Sequence, residues 1–278
     1  MSHYDVRLVL TDLDGSLLHN DHLTVSEHTR EVLHALQKQG VKLCACTGRP
    51  LCVLPPAIAE IGFDYAVTCN GASCVDLRTG ENIFHAWLSA EDAKIGWEIV
   101  RQVDALIGWF TGDGIVMDKQ NFAMWETRLR PFWHREYFAA GRVKVYDDIE
   151  EFFAEGTPKL EKLNMYTVSP DTPEKVIEPL SKLPAFYAAS SLGRNLEITS
   201  SKADKGQALR TLCEHLGVTP AQCAAFGDGG NDIEMLAAAG YGVAMGNAKE
   251  SVRLHAAYHT LSNEDDGVAD WLEKNVLG

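Results

Sequence analysis

The chain has 278 residues, 46% of them hydrophobic and 23% charged, a globular composition with room for one core plus an inserted or appended module. Its 39 acidic and 25 basic residues leave a formal net charge of −14, which argues against a surface built to neutralise nucleic-acid phosphates. A compact anionic ligand then requires a pocket that is locally positive, through cationic side chains or a bound metal.

In chain order, "VRLVLTD" reads as a first buried strand. "TVSEHTREVLHALQKQG" reads as a helix with Thr24 and Glu27 as a capping box, Val32 and Leu36 on one face, and Gly40 as its stop. "VKLCACT" and "YAVTC" follow as second and third strands, which makes parallel βαβ construction the expectation for the first ~70 residues. After "NGA" the rhythm changes to hairpins around Thr79 and Gly80 and around Gly112 to Gly114, then to mixed strands and helices through "KLNMYTV", "TPEKVIEPLSKL" and "NLEITS". From Lys202 the βα alternation returns. The expected architecture is an α/β, doubly wound and mainly parallel Rossmann-like sheet in a discontinuous unit, 1–82 and 188–278, interrupted by an inserted α+β module, 83–187.

Seven cysteines, odd in number and without paired CxxC spacing, speak against a disulfide framework or a zinc site. Cys44 and Cys46 share one face of a strand and read as buried thiols in a reducing compartment. No stretch reaches the ~18 apolar residues that span a bilayer, and the N-terminus lacks the basic start and long apolar run of a secretion signal. The expectation is a soluble, cytoplasmic protein without a membrane partner.

Chemistry concentrates at the predicted strand ends, where open α/β sheets place their ligand crevice. Asp12 and Asp14 close the first strand in "TDLDGS"; two carboxylates held together require a shared proton or a cation, and a hard divalent ion such as Mg²⁺ fits oxygen ligands of this kind. The same residues also serve as a cap for the following turn. "FGDGGND" ends a later strand with Asp228, Asn231 and Asp232, and a second acidic strand end in the same crevice turns the balance towards a metal site. Thr47 and Gly48 in "CTGRP" offer a hydroxyl and close backbone approach to an anion. Lys205 opens a helical run, where the helix dipole opposes a cation, so an anionic partner explains it better than helix stability does. Lys202 lies nearby but lacks the following glycine.

"DLDGS", "TGRP", "KADKGQAL" and "GDGGNDIEM" together resemble the four ordered motifs of the haloacid dehalogenase superfamily, and the length of the insertion, "NGA" and "YGVAMGNA" resemble its Cof-type subfamily IIB. Ser16 stands where the family more often has Thr. The resemblance implies a Mg²⁺-dependent phosphatase acting on a small phosphorylated metabolite. In that mechanism Asp12 is the nucleophile that forms an aspartyl phosphate and Asp14 the general acid and base. Asp12, the carbonyl of Asp14 and Asp228 hold the metal. Thr47, Gly48, Lys205 and Asn231 bind the phosphoryl group, and Asp232 orients Lys205 or metal-bound water.

The insertion carries Trp87, Trp97, Trp109, Phe110, Trp125, Phe132 and Trp133, most of them expected in its own core. Trp109, Phe110 and Asp113, at a predicted hairpin, are the candidates for reading the leaving group, with His134 and Arg135 as alternatives for an anionic tail. Sugar phosphates are the implied substrates; pyridoxal phosphate, a flavin nucleotide or a phosphomutase reaction are the alternatives. A DxD glycosyltransferase does not call for Lys205 and "GDGGND", and a phospho-acceptor receiver keeps its acceptor on a different strand from its acidic pair.

Overall fold

The structure, a computed structural model, describes residues 4–129, 141–155, 159–167, 172–189 and 195–278. The chain divides into two compact units: Met1–Arg49, Leu54–His85 and Asp204–Gly278 form unit one, and Pro50–Val53 with Ala86–Ala203 form unit two.

Unit one is built on an eight-stranded sheet. Its order is β14 (Tyr258–His259), β13 (Tyr241–Ala244), β12 (Cys223–Gly227), β1 (Leu8–Thr11), β2 (Lys42–Cys46), β3 (Tyr65–Thr68), β4 (Ser73–Asp76) and β5 (Asn82–His85). The strands from β14 to β3 run parallel, and β4 and β5 are added as antiparallel strands through the expected hairpin. β1 is fully buried because both faces of the sheet are covered. Leu8 and Leu10 pack with Cys44, Cys46, Leu209 and Leu212, while Val9 packs on the other side with Leu33, Leu43 and Phe226. Such double coverage is why a parallel strand reads as an unbroken apolar run. The chain grows outward from β1 through β2 and β3, then returns to lay β12 against the other edge of β1. Strand order therefore reverses between β1 and β12, the place where open α/β sheets bind ligands.

The helix Glu27–Lys38 starts two residues later than the Thr24/Glu27 pattern suggests. Ser26 is the N-cap and its hydroxyl accepts from the Thr29 amide, whereas Thr24 is held by Asp21 through both its amide and its hydroxyl. The Asp21 side chain offers Thr24 a local turn that competes with helix. All seven cysteines are free; Cys213 and Cys223 bring their sulfurs to 3.2 Å in a thiol–thiol hydrogen bond, not a disulfide.

Unit two has a six-stranded sheet in the order β10 (Phe186–Ala189), β11 (Asn195–Ser200), β9 (Leu160–Thr167), β6 (Ala105–Thr111), β7 (Gly114–Asp118) and β8 (Val143–Tyr146), antiparallel except for β7 with β8. β11 lies beyond residue 187 in the chain but pairs with both β9 and β10, so this unit extends to Ala203. Helices Ala90–Val100, Ile149–Ala154 and Thr172–Ser181 cover one face, placing Trp97, Phe153 and Val176 against Trp109, Leu163 and Ile198. Phe110 points to the other face, into a cluster with Val53, Met117 and Trp125. Trp109 and Phe110 are thus core residues, 1% and 0% exposed, and correct the expectation that they read a ligand. Asp113 is exposed on the β6–β7 turn. Phe132, Trp133, His134 and Arg135 lie outside the described residues. Among the described residues no helix is long and apolar enough to cross a membrane.

Candidate active site

All eight residues singled out from the motifs belong to unit one, and the strand order explains their convergence. Asp12 follows β1, Asp228 follows β12 and Thr47 follows β2, so adjacent parallel strands deliver them to one end of the sheet. The Asp12 amide still donates to the Phe226 carbonyl at 2.9 Å, carrying the β1–β12 pairing one residue past the strand. Gly15 then turns the chain away at φ +87°, and a β-carbon there would lie 2.6 Å from Asp228 Oδ2. Only glycine satisfies both the left-handed backbone and this contact.

Lys205 is the centre of the charge arrangement. It is the first residue of the helix Lys205–Leu216, whose N-cap Asp204 accepts from the Gly206 and Gln207 amides. Its side chain is completely buried, and Nζ donates to Asp12 Oδ1 at 2.7 Å and to Asp232 Oδ1 at 2.6 Å. Burial alone would lower its pKa; the Asp12 and Asp232 carboxylates outweigh burial and hold the ammonium well above lysine's ordinary value. Lys202, by contrast, is exposed. The second oxygen of Asp232 accepts from the Asp228 and Gly229 amides at 3.0 and 2.9 Å, so Asp232 ties the "GDGGND" loop to Lys205.

Around that ammonium, negative charge is in excess. Asp12, Asp228 and Asp232 each place an oxygen within 4.8 Å of one another. Burial first, and then the neighbouring Asp232 and Asp228 charges, push the Asp12 carboxyl upward against the pull of Lys205. Burial and the Asp232 charge likewise raise Asp228 to about 6, although Lys205 and a 3.3 Å hydrogen bond from Ser16 Oγ oppose them. Three crowded carboxylates around one ammonium form a donor set suited to a hard divalent cation, which takes oxygen ligands and would favour the ionised carboxylates.

Thr47 is 1% exposed and its hydroxyl oxygen accepts from the Arg49 amide at 3.1 Å, which leaves the hydroxyl proton able to point at an oxyanion. Gly48 leaves little room for a side chain: a β-carbon would lie 3.1 Å from Asn70 Oδ1. Asn231 donates to the same Asn70 oxygen at 2.9 Å. The Asp14 carboxylate points to Arg49, accepting from Nε at 2.8 Å and from Nη2 on its other oxygen, and contacts His22 Nδ1 at 2.8 Å. Burial would raise the Asp14 pKa, but the Arg49 fork and His22 together hold it below the usual carboxylate value.

Arg49, His22, Asn70 and Asn247 were not singled out by motif reasoning. Arg49 sits inside "CTGRP", directly after the two residues that were, and its guanidinium fork suits a carboxylate. Asn247, in "MGNA" beyond β13, donates to the Gly15 carbonyl at 2.8 Å and accepts from the Asn263 amide. Its position after a third strand on this side of the sheet was the available signal. His22 has a left-handed backbone, φ 61°, and gives its carbonyl to Arg49 Nη2 at 2.9 Å, an arrangement with no sequence signature.

A doubly wound sheet with paired acidic strand ends, a buried lysine between them and a hydroxyl at the next strand defines a hydrolase site of one recognised kind. The chain belongs to the haloacid dehalogenase-like hydrolase family, whose model matches residues 9–272. It is 30% identical over 98% of its length, and 98% of the relative's, to YxeH of Bacillus subtilis, a phosphatase by name. An HMP-PP phosphatase of Cronobacter sakazakii is also 30% identical, over 87% of this chain and 85% of its own. A solved haloacid dehalogenase-like hydrolase from Bacteroides thetaiotaomicron superposes with a TM-score of 0.82 at 28% identity, covering 97% of this chain and 99% of that one. Among these hydrolases the chain is a phosphoric monoester hydrolase.

Proposed function

We propose that the protein is a Mg²⁺-dependent phosphatase that cleaves small phosphomonoesters, sugar phosphates first among them, through an aspartyl phosphate on Asp12. The observation that carries this reading is the buried contact of Lys205 with Asp12 and Asp232 beside Asp228, at the ends of two adjacent strands. In this reading unit one is the catalytic core and unit two the cap that recognises the leaving group. Asp12, the Asp14 carbonyl and Asp228 hold the metal, which when bound supplies positive charge against the nucleophile and the phosphoryl oxygens.

The chain's own residues perform the rest. Asp12 attacks phosphorus as the bond to the leaving oxygen breaks, and water then cleaves the acyl phosphate, dividing one hard displacement into two. Lys205, the Thr47 hydroxyl and amide groups at Gly48 bind the phosphoryl oxygens on which charge builds. Asn231 adds a donor from the loop after β12. Asp14 takes a proton from the attacking water in the second step, for which its Arg49-bound carboxylate is already in the accepting form; to give a proton to the leaving alkoxide in the first step it must first leave Arg49 and take up a proton from solvent. Asp232 holds Lys205 in line. Phosphate release from para-nitrophenyl phosphate and a panel of sugar phosphates is expected with Mg²⁺ and to vanish with a chelator. Equal turnover under both conditions would defeat the metal assignment, and isomerised sugar phosphate in place of free phosphate would make the protein a mutase.

The acidity of Asp228 adds a pH test. A carboxyl whose pKa is raised on folding, here from 3.8 to about 6, leaves the metal-free protein best stabilised at low pH and less stable as pH rises through that window. Mg²⁺ competes with the proton at the same cluster. It is therefore expected to raise the melting temperature clearly at about pH 8 and hardly at all at about pH 5. Stabilisation of equal size at both values would show that the ion binds elsewhere.

A further inference from the structure

The turn after β3 is the most unusual backbone in unit one. Cys69, Asn70 and Gly71 all have positive φ, at 48°, 59° and 100°, and only the last is glycine. Non-glycine residues occupy this region when their surroundings over-determine it, and such segments concentrate at functional sites.

The contacts of the turn show what determines it. The Cys69 amide donates to the Arg49 carbonyl and the Asn70 amide to the Thr47 carbonyl, both at 3.0 Å, so the turn grips the Thr47–Arg49 segment on either side of Gly48. Asn70 Oδ1 accepts from Asn231 Nδ2 at 2.9 Å. It also occupies the space where a side chain on Gly48 would lie. A β-carbon on Gly71 would fall 2.5 Å from the Asp204 carbonyl, so the turn also abuts the residue that caps the Lys205 helix. Three loops that each carry a candidate phosphoryl-binding group thus meet at one three-residue turn, and the Asn70 side chain reaches one of them directly by accepting from Asn231.

We propose that Asn70 is a positioning residue: its side-chain amide sets the orientation of Asn231, and its left-handed backbone sets Thr47 and Gly48, before phosphate arrives. This rests on the phosphatase reading. An amide that swings freely loses rotamer entropy when it closes on an oxyanion; one held by a neighbour has already lost it, so the benefit appears as affinity for the phosphoryl group and its transition state. Asn is suited to the position because it tolerates the left-handed region and still offers an acceptor oxygen.

The test separates backbone from side chain. Asn70→Gly keeps the left-handed conformation and removes the amide. It is expected to melt close to the wild type while kcat/KM for para-nitrophenyl phosphate falls by ~10-fold or more and the inhibition constant of inorganic phosphate rises in parallel. Asn231→Ala is expected to produce losses of the same kind. The double variant is expected to lose no more than Asn231→Ala alone, because a residue acting through another adds nothing once that other is gone. Wild-type kinetics in Asn70→Gly, or a double variant showing the product of the two separate losses, would overturn the proposal. Should Asn70→Gly not fold, an unchanged phosphate inhibition constant in Asn231→Ala overturns it equally. A wild-type protein that releases no phosphate from any ester overturns the phosphatase reading and this proposal with it, whereas an active wild type with an indifferent Asn70→Gly overturns only the latter.

Discussion

Lys205→Met is expected to abolish phosphate release and to lower the melting temperature substantially. The side chain is wholly buried between Asp12 and Asp232, so methionine fills much of the volume but strands two carboxylates that had been neutralised. Breaking a buried pair from one side costs roughly 3–5 kcal/mol, which is about 6–15 °C in a unit of this size. The loss has a defined pH dependence. Without the ammonium the Asp12 carboxyl loses the pull that opposed its upward shift, so stability is greatest at low pH and falls as pH rises above the ordinary carboxylate value. The variant should therefore melt nearer the wild type at about pH 5 than at about pH 8. Turnover should fall by ~10²-fold or more even where the variant is folded, since a donor to the developing phosphoryl charge has gone. A variant that melts like the wild type at both pH values and keeps its turnover would refute the electrostatic role assigned to Lys205.

Asp12→Asn is expected to show the opposite combination. The amide preserves shape but cannot attack phosphorus, and removal of a nucleophile costs ~10⁴-fold or more in turnover. Yet burial and the charges of Asp232 and Asp228 push the Asp12 carboxyl upward, so ionising it opposes folding above its ordinary pKa of 3.8. A neutral amide removes that opposition, and Asp232 remains to neutralise Lys205. Without Mg²⁺ the variant should melt at or above the wild-type temperature at neutral pH, a sign that the site is assembled at the expense of stability. Retained turnover would remove Asp12 as nucleophile; a large drop in melting temperature would mean that its bond to Lys205 outweighs its crowding.

The two variants rest on residues that the sequence marks clearly. Asp12, Asp14, Asp228, Asp232, Thr47 and Lys205 lie in short runs with glycines and at predicted strand ends, because a ligand crevice in a parallel sheet is made from strand ends and tight turns. The hairpins about Thr79 and Gly112 were equally legible from their turn residues. What stayed hidden depends on strand order or on what covers a face. Arg49 meets Asp14 across 35 residues because β1 and β2 are neighbours, and no local pattern encodes that pairing. The predicted hairpin around Gly112 to Gly114 put Trp109 and Phe110 forward as readers of the leaving group, but β6 carries a packed cluster on each face, so both positions are interior. A place beside a turn does not tell a strand covered on one face from a strand covered on both.

The pairing of β1 with β12 also sets a clock. Val9 lies beside Ala224, so the central strand of unit one is made before this neighbour, which follows more than 200 residues later. At ~5–20 residues per second, the apolar edge of "LVLT" stays without that neighbour on the ribosome for roughly 10–40 s. An unpaired edge of this kind is a template for wrong pairing between chains. During that interval β2 covers one edge of the strand, and the Asp12 carboxylate has neither the Lys205 ammonium nor Asp228 and Asp232 beside it. The candidate site is thus complete only once the segment from Lys205 to Asp232 has been made.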